Sequence, residues 1–429
     1  MANVRPFRAL RYSERAGAPE ELCCPPYDIV SEQERLAFLA RNPNNVIRLE
    51  LPREGADPYA AAARELARMT DQGILRREES DCLYLYRESF SVKGVAYAFT
   101  GIVARVGLTP FSEGVVLPHE ETLSKAKKDR FALMDATRCN FSSIYSLYED
   151  EGGVTAARLA ALTADAPDQS FTDAEGVTHT LWIVRDRAAA EAVCADFADR
   201  KLYIADGHHR YETALAFRDH LRETGQAKPG DGADYCLMTL VAMDDPGLVV
   251  FPTHRVVRGL ERFDADALAA ACADAFDVER LPAGADVDAL LAAAARESRT
   301  AFCFYAGADR QWLLTLRDAS GVDAACPGAS DAYKGLDVTR LHTLILEKRL
   351  GIDKANMAAQ INLTYTRSEE EARALVDEGD ADCAFLINAT RVSQIRAVAA
   401  AGEKMPQKST YFYPKLITGL VMNRLDDEE

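Results

Sequence analysis

The spacing of apolar residues changes period several times along this chain, most informatively between residues 201 and 218. Leu202-Tyr203-Ile204-Ala205 is a continuous apolar run of strand character, and beyond Asp206-Gly207 the residues Tyr211, Ala214, Leu215 and Arg218 fall three or four apart. The pattern predicts a strand, a tight turn and a helix. Upstream, Ser31 to Arg41 has helical spacing with Glu34 at capping-box distance from Ser31, and Val46 to Leu51 alternates as a strand would. A helix is expected from Pro58 to about Gly73, followed by strands at Cys82–Phe90 and Val95–Val106 joined through Lys93-Gly94 as a hairpin.

Strands and helices then alternate. Phe141–Tyr148 and Thr178–Val184 are expected as strands, Val154–Ala164 and Arg187–Phe197 as helices, and Tyr235–Ala242 and Leu248–Phe251 as strands. From about Gly259 the chain becomes alanine-rich. It predicts helices at Asp264–Phe276, Asp286–Arg296, Asp337–Leu350, Glu369–Glu378 and Val392–Ala400, with strands at Ala301–Tyr305, Gln311–Arg317 and Asp382–Ile387. The expected fold class is α+β in three parts: an N-terminal α+β segment over 1–110, a core over 111–255, and a C-terminal α/β domain over 256–429 that ends in an aromatic and basic tail.

Composition narrows the function classes. A chain of 429 residues with 48% hydrophobic and 27% charged residues suits a globular protein with a sizeable core, and no apolar run reaches the roughly 20 residues of a membrane span. The N-terminus has no hydrophobic leader pattern, so a cytoplasmic location and no membrane partner are expected. The ten cysteines contain no C-x-x-C pair and read as reduced, buried small residues, adjacent Cys23-Cys24 included. A net charge of −17 argues against nucleic acid as a partner, and it means that any bound anion must be met by a local cluster of cations.

Three stretches carry candidate chemistry. At the Asp206-Gly207 turn, the first N–H groups of the following helix have no intrahelical partner, and the helix dipole is positive there. Such an end suits a phosphate, with Gly207 allowing close backbone approach, Arg210 offering a fork of donors, and His208 and His209 beside the reacting group. The stretch Pro118-His119-Glu120-Glu121 leads into Lys125, Lys127, Lys128 and Arg130, a basic cluster that an ordinary solvated helix start would equally explain. The tail from Lys404 to Lys415 combines Tyr411, Phe412 and Tyr413 with Pro406, Pro414 and three lysines. It is expected to bring Lys408 or Lys415 to the Asp206 turn, unless its aromatics simply plug the core.

With these stretches in view, the whole chain resembles a widespread prokaryotic family of unknown function. The resemblance runs through Pro25-Pro26-Tyr27-Asp28, Arg48-Leu49, the Pro-His-Glu stretch, Asp206 to Arg210, Pro252-Thr253-His254-Arg255 and Met405 to Lys415. Residues from about 111 to 225 are similar to the ParB/sulfiredoxin superfamily, and most to its free L-serine kinases. That resemblance implies a nucleotide-binding core with an insertion over about 141–197. It places Asp206, Gly207, His208, His209 and Arg210 around the transferred phosphoryl group, with Asp206 as the ligand of Mg²⁺. Lys125 and Lys408 would support the phosphates, and Glu120 or the adjacent Glu121 would act on the serine hydroxyl. The implied activity is a serine kinase-like phosphotransfer from ATP or ADP to serine. A phosphoserine phosphatase-like activity and a non-catalytic nucleotide-binding regulator are the alternatives. His208 stands where sulfiredoxin carries its cysteine, which disfavours thiol chemistry.

Overall fold

The computed structural model describes residues 1–122 and 124–426; Leu123, inside the stretch that leads to the basic cluster, lies outside the described residues. The chain divides into two units. The first comprises residues 1–118, 122–249 and 414–429, and the second comprises 119–121 and 250–413.

A nine-stranded mixed sheet forms the frame of the first unit. Its strands in chain order are β1 (Val4–Arg5), β2 (Leu83–Val92), β3 (Val95–Gly107), β4 (Val116–Leu117), β5 (Ile144–Tyr148), β6 (Gln169–Thr172), β7 (Thr178–Val184), β8 (Leu202–Asp206) and β9 (Tyr235–Ala242). Across the sheet the order is β4-β8-β5-β9-β3-β2-β7-β6, with β1 also paired to β3. Strands from residues 1–110 and from 111–255 therefore share one sheet. The segment 141–197, expected as an insertion, supplies β5 between β8 and β9 as well as the far edge, β7 and β6. The β2–β3 hairpin turns at Lys93-Gly94, both with positive φ (49° and 78°), the geometry that matches strand twist in a two-residue turn.

Two sequence expectations fare differently here. The Ser31 capping box forms, with Glu34 N–H donating to Ser31 Oγ and Ser31 N–H donating to Glu34 Oε2 (2.8 Å). Val46–Leu51 is not a strand: Ile47–Glu50 is a short helix, α1, started by Asn45 Oδ1 accepting the Ile47 N–H (2.9 Å). Val46, Ile47, Leu49 and Glu50 are all buried, so an alternation that implied one wet face had no such face to report.

The second unit holds a six-stranded sheet of β10 (His254–Val257), β11 (Phe276–Arg280), β12 (Ala301–Tyr305), β13 (Gln311–Leu316), β14 (Leu363–Thr366) and β15 (Cys383–Ile387), in the order β11-β13-β12-β15-β10-β14. Every pairing in it is antiparallel, so this part is α+β rather than the expected α/β. The helix expected to run to Phe276 ends at Cys272, and Phe276 opens β11 as a buried core residue opposite Leu316. Alanine favours helix at every position and so hides where this one stops. Among the described residues no helix is long and apolar enough to cross a membrane.

Candidate functional site

Strand β8 delivers Asp206 to its C-terminal end, Gly207 turns the chain in the left-handed region (φ 95°), and α3 (His208–Glu223) begins at once. The strand-turn-helix expectation therefore holds. Gly207 is required for two reasons. A Cβ there would come within 2.9–3.0 Å of the Arg210 guanidinium, which folds back over the turn, and a side chain is strained at this φ. Gly207→Ala is expected to destabilise the first unit by about 1–2 kcal/mol, read by urea denaturation. An unchanged midpoint would mean that Arg210 does not occupy this position.

Arg210 is not the free fork that was expected. Its Nη2 pairs with Asp206 Oδ2 and its Nη1 donates to the Ser143 carbonyl, so the guanidinium ties the turn to the segment entering β5 (Ile144–Tyr148). Lys415 Nζ pairs with Asp206 Oδ1. Burial acts against a charge on Asp206, but Lys415 and then Arg210 outweigh it, helped by His208, and the carboxyl is held well below its usual range. Both oxygens of Asp206 are thus taken by cations. Among the described residues no group of three or more His, Cys, Asp or Glu side chains could hold a metal ion, and Asp206, the expected ligand of Mg²⁺, pairs with Lys415 and Arg210.

The other named residues separate clearly. His208 is buried (3% exposed) and His209 is half-buried, so of the two histidines His209 is the more accessible. The basic stretch opens helix α2 (Ser124–Thr137), where Lys125 is exposed. Lys127 pairs with Glu212 of α3 (2.7 Å), which also accepts from Thr122 (2.6 Å). Arg130 turns inward. The tail divides: Lys415 reaches Asp206, whereas Lys408 belongs to the second unit, with an exposed side chain and a carbonyl that accepts from Arg255 (3.2 Å). Glu120 and Glu121 also belong to the second unit, where His119 accepts the Met405 N–H at its carbonyl (2.7 Å) and its Nε2 lies 3.0 Å from Thr410 Oγ1.

Sequence reasoning gave no role to Glu50 and counted Arg130 only among the cations of the basic stretch; both are buried beside the turn. Arg130 lies 3.4 Å from the Glu50 carboxylate and donates to the Glu50 carbonyl (2.8 Å), and Ser142 donates to Glu50 Oε1 (2.9 Å). The Arg130 guanidinium also stacks over the Tyr27 ring at 3.9 Å. Burial raises the Glu50 carboxyl, against Arg130 and Arg210, and raises the Tyr27 phenol to about 12. Glu50, Arg130, Ser142 and Arg210 border a cavity of about 40 Å³. Tyr27 of the Pro-Pro-Tyr-Asp stretch and Glu50, next to the Arg-Leu stretch, thereby meet at Arg130 beside the turn. A hydrophobic pattern could not reveal this, because Glu50 sits among apolar neighbours and reads as the wet face of a strand. The Cys23 and Cys24 thiols are pushed up by burial, Cys23 to about 12, and both are free and buried.

The family model described as Protein of unknown function (DUF1015) matches residues 4–339. The chain belongs to that family. In this DUF1015 chain the matched range contains the turn and the Pro-Pro-Tyr-Asp, Pro-His-Glu and Pro-Thr-His-Arg stretches, whereas the Met405–Lys415 tail lies beyond it. A search of curated proteins finds no match. Among solved structures, a conserved hypothetical protein from Pyrococcus furiosus is 14% identical, with a TM-score of 0.34 over 76% of this chain and 95% of that one. A free serine kinase variant in complex with ADP is 12% identical, with a TM-score of 0.37 over 76% and 91%. SbnI from Staphylococcus aureus, truncated at its C-terminus, is 10% identical, with a TM-score of 0.35 over 74% and 86%.

Proposed function

We propose that the turn at Gly207 binds the phosphates of a nucleotide, ATP or ADP, and that the protein transfers a phosphoryl group to a small hydroxylated metabolite, with free L-serine the leading acceptor. One observation carries this reading. Two cations, Arg210 and Lys415, converge on the single carboxylate of Asp206 at the positive end of a helix, in a chain whose net charge is −17. Such a convergence of cations at a helix start, in so acidic a protein, suits an anion bound beside it.

Lys415 brings its ammonium to Asp206 beside the turn. With the first N–H groups of α3 (His208–Glu223) and half-buried His209, it would hold the phosphoryl oxygens. Arg210 positions Asp206 and the turn rather than touching the ligand. The hydroxyl oxygen of the acceptor forms the new bond to phosphorus as the bond to the leaving nucleotide breaks, and the hydroxyl proton passes to a carboxylate. The resemblance stated above assigns that carboxylate to Glu120. A core of ParB/sulfiredoxin type, consistent with the strand-turn-helix at Gly207, is part of the same proposal, as is the reverse reaction from O-phosphoserine.

The test incubates purified protein with labelled serine and ATP or ADP, and separately with phosphoserine, and measures nucleotide binding by calorimetry. Label is expected to move between serine and phosphoserine. Lys415→Met should weaken nucleotide binding roughly ten- to a hundredfold, the usual effect of losing one charged hydrogen-bonding partner. Glu120→Gln should abolish turnover and spare binding. Nucleotide binding without turnover in either direction would replace the kinase reading with a regulator. Phosphoserine hydrolysis without nucleotide would replace it with a phosphatase. No nucleotide binding at all would refute the assignment of the turn.

A further inference from the structure

The second unit contains a cavity of about 190 Å³, bordered among others by His342, Tyr365, Lys354, Lys404 and Cys326. Behind it lies an unusual charge. Arg255 is fully buried, and its guanidinium donates to His342 Nε2 (3.2 Å), the Thr253 carbonyl and the Lys408 carbonyl (3.2 Å). Among the described residues no carboxylate pairs with it, and burial pulls its pKa down to about 10. A buried cation without a counter-ion is costly, so the structure around it should favour negative charge close by.

The cavity wall carries that influence outward. Because Arg255 Nε–H donates to His342 Nε2, the imidazole is neutral with its proton on Nδ1, and the His342 side chain makes no other hydrogen bond among the described residues. Burial, then Arg255 and Lys354, hold its pKa well below the usual value, so the imidazole remains neutral. Tyr365, whose ring lies 5.3 Å from the Arg255 guanidinium, has a buried hydroxyl without a partner. The helical turn His342–Glu347 is wound as a π-helix, a rare form that recurs at functional sites. Its wider turn brings His342, Thr343 and Glu347 all to the cavity.

We propose that this cavity is a second binding site, for a small oxyanion of carboxylate or phosphoryl type, held by the Tyr365 hydroxyl, His342 Nδ1–H and the Lys354 ammonium with Arg255 behind them. Glu121 and Glu347 also border the space, which disfavours polyanions and suits a ligand of one or two negative charges. The site lies within the second unit and does not rest on the phosphoryl-transfer reading of the turn.

Cys326 is a free, half-buried thiol on the cavity wall, so its alkylation by iodoacetamide, followed by mass spectrometry on the full chain, reports occupancy at this place alone. Malonate and inorganic phosphate, each up to about 10 mM, are the probes. One or both are expected to slow alkylation of Cys326 several-fold; phosphate alone would identify a phosphoryl ligand, and malonate alone a carboxylate. Tyr365→Phe and Lys354→Met should each raise the protecting concentration roughly tenfold, while Lys415→Met at the turn should leave it unchanged. Equal alkylation rates with and without both anions would overturn the proposal, as would protection that neither cavity variant weakens. If the Cys326 thiol resists alkylation, calorimetry of the same variants reads the same affinities, and absence of heat with both anions overturns it as well.

Discussion

Replacing Arg210 by alanine is expected to cost the first unit about 3 kcal/mol, because it breaks a largely buried ion pair and leaves the Ser143 carbonyl without its donor. The side chain is only 12% exposed. As a surface fork aimed at phosphate, it could be removed with loss of affinity and little loss of stability. In the structure it is a brace across the turn, so stability falls first and any ligand effect follows from the displaced Asp206. Urea denaturation measures the loss, and hydrogen exchange over residues 202–223 should locate it. Arg210→Lys should recover part, since an ammonium reaches one oxygen but cannot bridge Asp206 and Ser143 together. A variant that unfolds at the wild-type midpoint but loses phosphate would restore the surface-fork reading.

The second large effect is expected at Glu88, far from any motif. Glu88 on β2 (Leu83–Val92) is fully buried opposite His179 on β7 (Thr178–Val184), accepts from Tyr86 at Oε1 (2.6 Å), and has no partner at Oε2 among the described residues. Tyr86 Oη also lies 2.7 Å from His179 Nδ1, and His179 Nε2 lies 3.0 Å from Asp173. Burial raises the Glu88 carboxyl to about 8, with the Tyr86 hydrogen bond opposing and Asp173 adding to the rise. Between the ordinary value of 4.5 and about 8, the folded protein keeps a proton that the unfolded chain releases. Stability is therefore fully present below that window and is lost as pH rises through it, by up to about 1.4 kcal/mol per pH unit. Glu88→Gln cannot ionise, so it should flatten this slope and gain on the wild type steadily from about pH 5 to pH 8. Urea midpoints that differ by the same amount at every pH would show that Glu88 is already ionised in the folded protein.

The parts of the fold that were legible in the sequence are those in which local preference and burial agree. Tyr235–Ala242, Ala301–Tyr305 and Val392–Ala400 form with the expected ends, and the Asp206 turn lies where an apolar run meets Asp-Gly and then helical spacing. The failures have a common cause in long-range packing. Glu50 and Arg130 look like surface residues until each is seen to neutralise the other inside the protein, and Arg210 looks like a ligand fork until Ser143 is found beside it. Glu88 gives no local sign that it is buried. Of the tail cations, Lys415 has a partner in Asp206 while Lys408 contributes only its carbonyl, a distinction that depends on where the chain passes from one unit to the other between Tyr413 and Pro414.

That crossing also governs the order in which the protein can be made. Residues 414–426 return to the first unit: Asn423–Arg424 pairs with Cys139–Asn140, Met422 exchanges hydrogen bonds with Leu10, and Leu425 enters the core. Nearly all of the second unit is one continuous stretch ending at Tyr413, so it can complete its sheet while the chain is still being translated. The first unit, begun at the earliest residues, must wait for almost the last ones. During synthesis that unit lacks these partners, and Asp206 lacks Lys415. A released chain cut short just before Pro414 would stay in that state, open to chaperones and proteases, with every strand of the second unit's sheet present and a first unit lacking its last partners.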